Sequence, residues 1–388
     1  MLHGNKPQTS NPENDEVLRL QNIVKQAHAD NTALNIVGGN SKHWYGREAH
    51  GENINISAHS GIINYYPAEL IITAKAGTPL CEIADALDEH KQRLPFDPPY
   101  YGQHATLGGT VACGFSGPRR PYAGSCRDFI LGCRIINGKG EILRFGAEVM
   151  KNVAGFDVSR LMAGSLGTLG ILLDISMKIL PHRQAEETLR LTSDYSGAIA
   201  IMNRWASSPL PITAMAADGR HIYFRICGTD AAVEMTRQQI CGKQLEPNEQ
   251  KEQAAGQASD ADIYADGLNF WKDVREHQHP YFQSAKSPLW RFSVPPATPH
   301  PIIDSADDKD WFIGWGGAQR WLFSDLPAAD LFAAAQTAGG HACLFRGGER
   351  SNEVFAPLSH AHMQLQQRLK HAFDPKAILN PGRMYKAL

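Results

Sequence analysis

The stretch IVGGNSKHWYG, from Ile36 to Gly46, ends an apolar run in a Gly-Gly pair, then gives small polar residues, a lysine and a third glycine. Such a strand end suits an anion, because glycine lets backbone N–H groups converge without a Cβ in the way. Gly39 is expected to need both this close approach and a positive φ. The stretch is not G-x-G-x-x-G, and G-x-x-x-x-G-K-[ST] occurs nowhere in the chain. A plain turn after a strand explains the pair equally well, so its meaning depends on the residues around it.

Upstream, VLRLQNIVKQAHADN (Val17 to Asn31) carries apolar residues at helical spacing, and LNIV reads as the short strand leading into the loop. Downstream, NINIS alternates as a strand and ELIITAKA (Glu69 to Ala76) is a β-rich run. TPLCEIADALDEH predicts a helix with Thr78 as N-cap and Pro79 at its first position. This β–loop–β–β–helix order is α+β rather than a regular βαβ alternation.

PFDPPYYGQ is a stiff proline-rich loop. ATLGGTVACGFSGPRRPYAGS follows it, with Thr106 able to cap a short helix whose small residues suit packing against a flat surface. FILGCRIINGKGEILRFG predicts a hairpin around NGKG. VMKNVAGFDVSRLMAG reads as a short helix after a loop, and SLGTLGILLDISMKILP as a glycine turn and a long strand. Beyond His182 come further strands (LRLTS, HIYFRIC), the polar stretch Lys243 to Asp262 expected as a solvated loop, and WFIGWGGAQRWLF in strand-like order. A helix and a Pro/Gly-bounded tail close the chain.

The chain has 388 residues, more than one compact domain usually holds. Its 43% hydrophobic and 20% charged content is that of an ordinary soluble enzyme. A formal net charge of −2, with no basic stripe, argues against nucleic acid as a partner. No apolar run is long enough to span a membrane, and the N-terminal residues lack an apolar signal core, so a cytoplasmic protein is expected. Seven cysteines without a C-x-x-C pair argue against a disulfide framework or an iron–sulfur cluster in this chain. Buried free thiols are expected.

Four segments together carry a resemblance: IVGGNSK, ATLGGTVACGFSGPRRPYAGSCRDFILGCRIINGKGEI, KNVAGFDVSRLMAGSLGTLGIL and FDPKAILNPGRMY. In this order they resemble the FAD-binding domain of the vanillyl-alcohol-oxidase (PCMH-type) flavoprotein superfamily. Within it, the chain resembles the FAD-binding subunits of glycolate oxidases. The likeness is strong over residues 17–183 and clear in the tail.

The resemblance implies a PCMH-type FAD-binding domain of two α+β subdomains over residues 1–183. A smaller α+β cap, 184–360, and a tail, 361–388, that returns to the FAD domain complete the expected organisation. It places Gly38, Gly39, Asn40, Ser41 and Lys42 on the FAD pyrophosphate. Pro98, Thr106, Leu107, Gly108, Gly109, Gly114, Ser116 and Gly117 would line the ribityl chain, pyrophosphate and isoalloxazine ring. Gly167, Gly170 and Ile171 would meet the adenine end, and Asn380 the flavin side. Some members attach FAD to a histidine beside the Gly pair; Asn40 and Ser41 stand there instead, so non-covalent FAD is expected and His43 is read as a loop residue.

Oxidation of a 2-hydroxy acid needs a base for the hydroxyl proton and a cation for the carboxylate. Self-sufficient members resemble one another in a G-D-G-N-x-H motif, which is absent here. His341 is a lone histidine. His360 and His362 are spaced i, i+2 on a helix and point apart, and His277 and His279 lack an evident third ligand. No metal site is therefore expected, and no catalytic residue is assigned. The resemblance implies a subunit working beside a homologous FAD-containing catalytic subunit and an iron–sulfur subunit. Together they would oxidise glycolate, a small 2-hydroxy acid, to glyoxylate in the cytoplasm, at the inner face of the membrane through the complex. The alternative is a self-sufficient FAD oxidoreductase on another small hydroxy acid or alcohol, with Arg291, Arg320 or Arg346 on a carboxylate. A scaffold that keeps FAD only for folding is a third class.

Overall fold

The computed structural model describes residues 12–146, 157–242, 259–284, 287–303 and 311–388. Helix α1 (Pro12–Asp30) precedes strands β1 (Leu34–Val37), β2 (Glu52–Asn55), β3 (Ile62–Tyr66) and β4 (Ile71–Lys75). Helix α2 (Leu80–Asp88), β5 (Gln92–Arg93), α3 (Leu107–Cys113), α4 (Arg120–Ala123), β6 (Ile130–Ile136), β7 (Ile142–Gly146), β8 (Ile171–Lys178) and β9 (Leu180–Pro181) follow. Val17, Leu20, Val24 and Ala27 are all buried, so one stripe of α1 faces the core, as its spacing requires.

β1 and β2 form a two-stranded parallel pair. The chain's tail closes its free side: Leu34 N–H donates to Ile378 O at 2.7 Å and Asn380 N–H donates to Leu34 O at 2.9 Å. A second sheet runs β3-β4-β8-β6-β7 with every neighbour antiparallel. β8 is its centre and all but its last residue are buried. Helix α3 packs across β4 and β8, and Gly108 permits it: a Cβ there would lie 2.7 Å from Ala76 Cβ.

The rest builds one antiparallel eight-stranded sheet. Its elements are β10 (Ala185–Thr192), α5 (Tyr195–Ala206), β11 (Ile212–Ala217), β12 (His221–Gly228), α6 (Asp230–Gly242), β13 (Ser259–Ile263), α7 (Gly267–Glu276), α8 (Pro280–Gln283), β14 (Leu289–Ser293), β15 (Trp311–Gly314), β16 (Gln319–Phe323), α9 (Ala328–Thr337) and β17 (His341–Arg346). The order is β13-β10-β12-β11-β15-β16-β14-β17. α5, α6 and α9 cover one face. The other face is aromatic: Phe312, Trp321, Phe323 and Phe345 pack with Tyr45 and Phe115 from the N-terminal half. Strand alternation makes this division, since Trp311 and Leu322 point to the helices while Phe312 and Trp321 point away. Helix α10 (His360–Phe373) leads to the returning tail.

A buried ionic joint ties the two halves. Asp97 meets Arg119 at 3.4 Å and Arg225, on β12, at 2.7 Å. Burial alone raises the Asp97 pKa, but the two guanidinium groups outweigh it and hold the carboxyl below its usual range.

The α+β reading holds, as do the strand ahead of the Gly loop, the NGKG hairpin and the Thr106 cap, whose Oγ accepts from Gly109 N–H at 3.2 Å. Thr78 is not the N-cap of α2. Its hydroxyl binds Gly61 and Lys75 O, and Pro79 takes the cap position without a side-chain bond. The IINYY segment forms β3, an edge strand the residue pattern left unread. Ser259 to Asp262, expected as loop, belongs to β13, where pairing with β10 overrides its polar composition. The remainder of that loop (243–258) and most of the stretch before β8 (147–156) lie outside the described residues.

Candidate functional site

The Gly loop lies between the β1–β2 pair and the N-terminus of α3. Gly39 is fixed there by sterics: a Cβ would lie 1.4 Å from the His104 carbonyl oxygen. Its φ is not positive, contrary to expectation. The left-handed residue is Asn40, at φ 56°, which asparagine tolerates. Among the described residues, no acceptor engages the backbone N–H groups of Gly38, Gly39, Asn40, Ser41 or Lys42. Five consecutive residues lining one cleft therefore keep backbone donors that nothing else described engages. The buried Lys42 ammonium donates to Tyr100 O at 3.1 Å and lies 3.2 Å from Ser41 Oγ. Burial lowers its pKa, with Cys113 and Glu276 opposing. Such a wall suits an anion.

Of the expected residues, Gly38 to Lys42, Thr106, Gly108, Gly109, Gly167, Gly170 and Asn380 line this one cleft. The α3 terminus does not present free donors. Leu107 N–H donates to Thr78 O, Gly108 N–H to Ala76 O, and Gly109 N–H to the Thr106 hydroxyl. The glycines of TLGG thus serve close packing. Leu107, Ile171 and Pro98 are buried away from the cleft. Ser116 and Gly117 line a separate pocket beneath the eight-stranded sheet, where Ser116 Oγ accepts from Cys126 N–H at 3.0 Å and Gly117 O from the Trp315 indole at 3.0 Å.

Asn380 is buried and clamps three segments. Its Oδ1 accepts from Ile36 N–H at 2.7 Å and its Nδ2 donates to Leu166 O at 2.6 Å. A Cβ on Gly167 would lie 2.8 Å from that amide nitrogen. Gly167 and Asn380 are therefore neighbours in the cleft, although the resemblance assigns one to the adenine end and the other to the flavin side.

Tyr45, Cys113 and Leu166 also line an adjoining second compartment, which takes in Gly114, Arg120, Arg127 and Arg291. Burial raises the pKa of the Tyr45 hydroxyl and the Cys113 thiol, so both are neutral near pH 7. Among the described residues no Asp or Glu lines either compartment. Tyr45, Cys113 and Arg383 were not foreseen. Two had legible signals: Arg383 ends the NPGR motif, and Cys113 lies one helical turn after Gly109.

His43 is exposed, its ring 3.0 Å from Asn40 O. His277 is buried and stacked on Phe282 at 4.0 Å, while His279 caps α8. His360 and His362 are exposed at the start of α10. Of the three arginines weighed for a carboxylate, Arg320 is fully buried and committed to the carbonyls of Gly317, Pro299 and Thr298. Arg346 donates to Phe282 O at 3.3 Å. Arg291 alone lines the second compartment.

Residues 13–146 match the model of a family described as an FAD binding domain. The chain is 44% identical over 365 residues to the glycolate oxidase subunit GlcE of Escherichia coli K12, covering 94% of this chain and 96% of that protein. It is 32% identical over 120 residues to the glycolate oxidase subunit GlcD of Bacillus subtilis, covering 31% of this chain and 25% of that one. A solved alkyldihydroxyacetonephosphate synthase superposes with TM-score 0.62 at 16% identity, over 93% of this chain and 74% of that chain, a likeness of fold. No helix among the described residues is long and apolar enough to cross a membrane. With the GlcE likeness running through both sheets and the tail, the chain belongs to the GlcE family of glycolate oxidase subunits and carries an FAD-binding domain.

Proposed function

We propose that this chain is the FAD-binding subunit of a glycolate oxidase complex that converts glycolate to glyoxylate. In this reading residues 1–183 and the tail 361–388 hold the cofactor, and residues 184–360 form the cap. The carrying observation is the row of five N–H groups at Gly38 to Lys42 that no acceptor among the described residues engages, in a cleft with no carboxylate among its described lining residues. That donor set fits the pyrophosphate of FAD, as two linked phosphates need several donors at close range. Asn380 holds the wall in place through Ile36, and Gly167 leaves room beside it.

When bound, FAD supplies a two-electron acceptor. The chain's own residues bind it, and Tyr45 and Leu166, which both compartments share, sit in one buried apolar cluster with Phe115. Among the described residues lining the two compartments there is no carboxylate and no histidine pair to take the hydroxyl proton of glycolate, which supports an accessory or electron-transfer role. A homologous FAD subunit then carries the main chemistry, and an iron–sulfur subunit passes electrons onward at the cytoplasmic face of the membrane. Non-covalent attachment follows from Asn40 and Ser41 at the loop. The self-sufficient alternative has one observation in its favour, the arginines of the second compartment.

Affinity capture of the tagged chain from its native cell, followed by mass identification, tests this. A second FAD-binding hydroxy-acid oxidase subunit and an iron–sulfur protein are expected. Recovery of the flavin-loaded chain with neither overturns the complex.

A further inference from the structure

We infer that Glu276, on the cap helix α7, is a positioning residue for the Gly-loop wall, and that it acts through the proline-rich strap of residues 97–102. The strap is backbone under constraint. Pro98 and Pro99 fix their own φ, while Asp97 (φ 47°) and Tyr101 (φ 52°) are left-handed without being glycine. Such conformations persist only where their surroundings hold them. Both are held from the half that carries the eight-stranded sheet. Arg225, on β12, donates to Asp97 at 2.7 Å. The Glu276 carboxylate accepts from Tyr100 N–H at 3.0 Å and from Tyr101 N–H at 2.8 Å.

Glu276 is the last residue of α7, where the negative end of the helix dipole disfavours a carboxylate. Its side chain is only 14% exposed, so hydration does not account for it either. The two strap N–H groups do, together with Arg275 Nε, which donates to it at 2.7 Å. Arg275 in turn lies 5.2 Å over the Tyr100 ring.

The other side of the strap faces the Gly loop. Tyr100 O accepts from the Lys42 ammonium at 3.1 Å. That carbonyl and Tyr101 N–H belong to one planar peptide unit and point in opposite directions. A single peptide therefore stands between the Glu276 carboxylate and the Lys42 ammonium. The carboxylate fixes its plane and polarises it, which strengthens the carbonyl as an acceptor. The Tyr101 ring also meets Trp44 at 5.3 Å, and the Trp44 indole donates to Ser41 O at 3.1 Å. Burial lowers the Lys42 pKa, and Cys113 and Glu276 oppose it, so the same carboxylate supports the charge it helps to aim.

This deepens the proposed function and rests on its assignment of the Gly loop to the FAD pyrophosphate. It makes cofactor affinity depend on a residue of the other half of the protein. By reciprocity, FAD on the wall tightens the hold of the cap on the strap.

The test is FAD titration of the full-length apoprotein by flavin fluorescence, with thermal melts of each variant. Glu276→Ala should weaken FAD binding at least tenfold. Glu276→Gln keeps one acceptor oxygen without the charge and should fall between Glu276→Ala and wild type; it replaces Glu276→Ala in every comparison if that variant is unstable. Lys42→Met should weaken binding by itself, and adding the Glu276 change to it should cost less than about threefold more, because the route passes through Lys42. A merely structural Glu276 lowers the melting temperature and leaves FAD affinity within about threefold of wild type; that result, with Lys42→Met still weak, overturns the positioning role and leaves the wall standing. Full multiplication of the two effects in the double variant also overturns it. A Lys42→Met protein that binds FAD like wild type overturns the wall and the strap together.

Discussion

Replacing Gly39 by alanine puts a Cβ 1.4 Å from the His104 carbonyl oxygen and 2.5 Å from its carbon. Ordinary contact begins near 3.4 Å, so the loop and the 104–106 segment must part by roughly 2 Å. Neither side of the clash is a flexible side chain, so relaxation is expensive, at the upper end of overpacking costs, about 3 kcal/mol. For a unit of this size that lowers the melting temperature by about 6–12 °C. The same displacement moves the five free N–H donors. Each charge-assisted hydrogen bond contributes about 1.5–3 kcal/mol, and losing two raises the FAD dissociation constant by roughly 10²–10⁴-fold. Gly382→Ala is the control. Gly382 has φ 69° but a Cβ there meets nothing within 4 Å, so only the left-handed cost of about 1–2 kcal/mol applies. The assay is FAD titration of the apoprotein by flavin fluorescence, with thermal melts alongside. A Gly39→Ala protein that binds FAD within about threefold of wild type and melts with Gly382→Ala would refute both the contact and the phosphate wall.

Acid or heat should release FAD intact, since Asn40 and Ser41 offer no attachment histidine; flavin remaining with the chain on a denaturing gel contradicts this. Purified FAD-loaded chain, given glycolate or D-lactate and an artificial acceptor, should turn over below about 1 s⁻¹, because among the described residues no carboxylate lines either compartment; faster turnover puts the base in this chain, with His341→Ala the first variant to make. Asn380→Ala strands Ile36 N–H and Leu166 O, each costing about 1–3 kcal/mol, so denaturant unfolding should show a loss of about 2–5 kcal/mol. His277 is held neutral chiefly by burial, reinforced by Arg346 and Arg291, with its pKa well below the ordinary 6.5. The unfolded chain thus binds the extra proton first, and stability falls as pH drops below 6.5, by up to about 1.4 kcal/mol per pH unit. His277→Gln should flatten that slope in melts from pH 7 to 5.

Some of this architecture is local and was legible. The β1 strand, the hairpin at NGKG and the Thr106 cap follow from apolar spacing and short-range hydrogen bonds that neighbouring residues satisfy among themselves. Strand β3 was not legible, because an edge strand with a half-exposed pattern has no strong period. Thr78 misled for a similar reason: a hydroxyl before a helix reads as a cap, yet a partner 17 residues back at Gly61 claims it. The same holds in the site. Glycine at 39 and at 108 could be read as freedom for a ligand, but distant backbone at His104 and Ala76 is what excludes a Cβ.

By itself the sequence determined the family and the α+β class and pointed to the Gly loop as the candidate place for an anion, since four ordered motifs and the chemistry of glycine are written in consecutive residues. Only the tertiary structure decided which donors are free, because a backbone N–H is spent or spared according to carbonyls far along the chain. It likewise chose Arg291 over Arg320 and Arg346. All three are identical in the one-dimensional text, and what separates them is which face of a strand meets the other half of the protein and which carbonyls lie within reach.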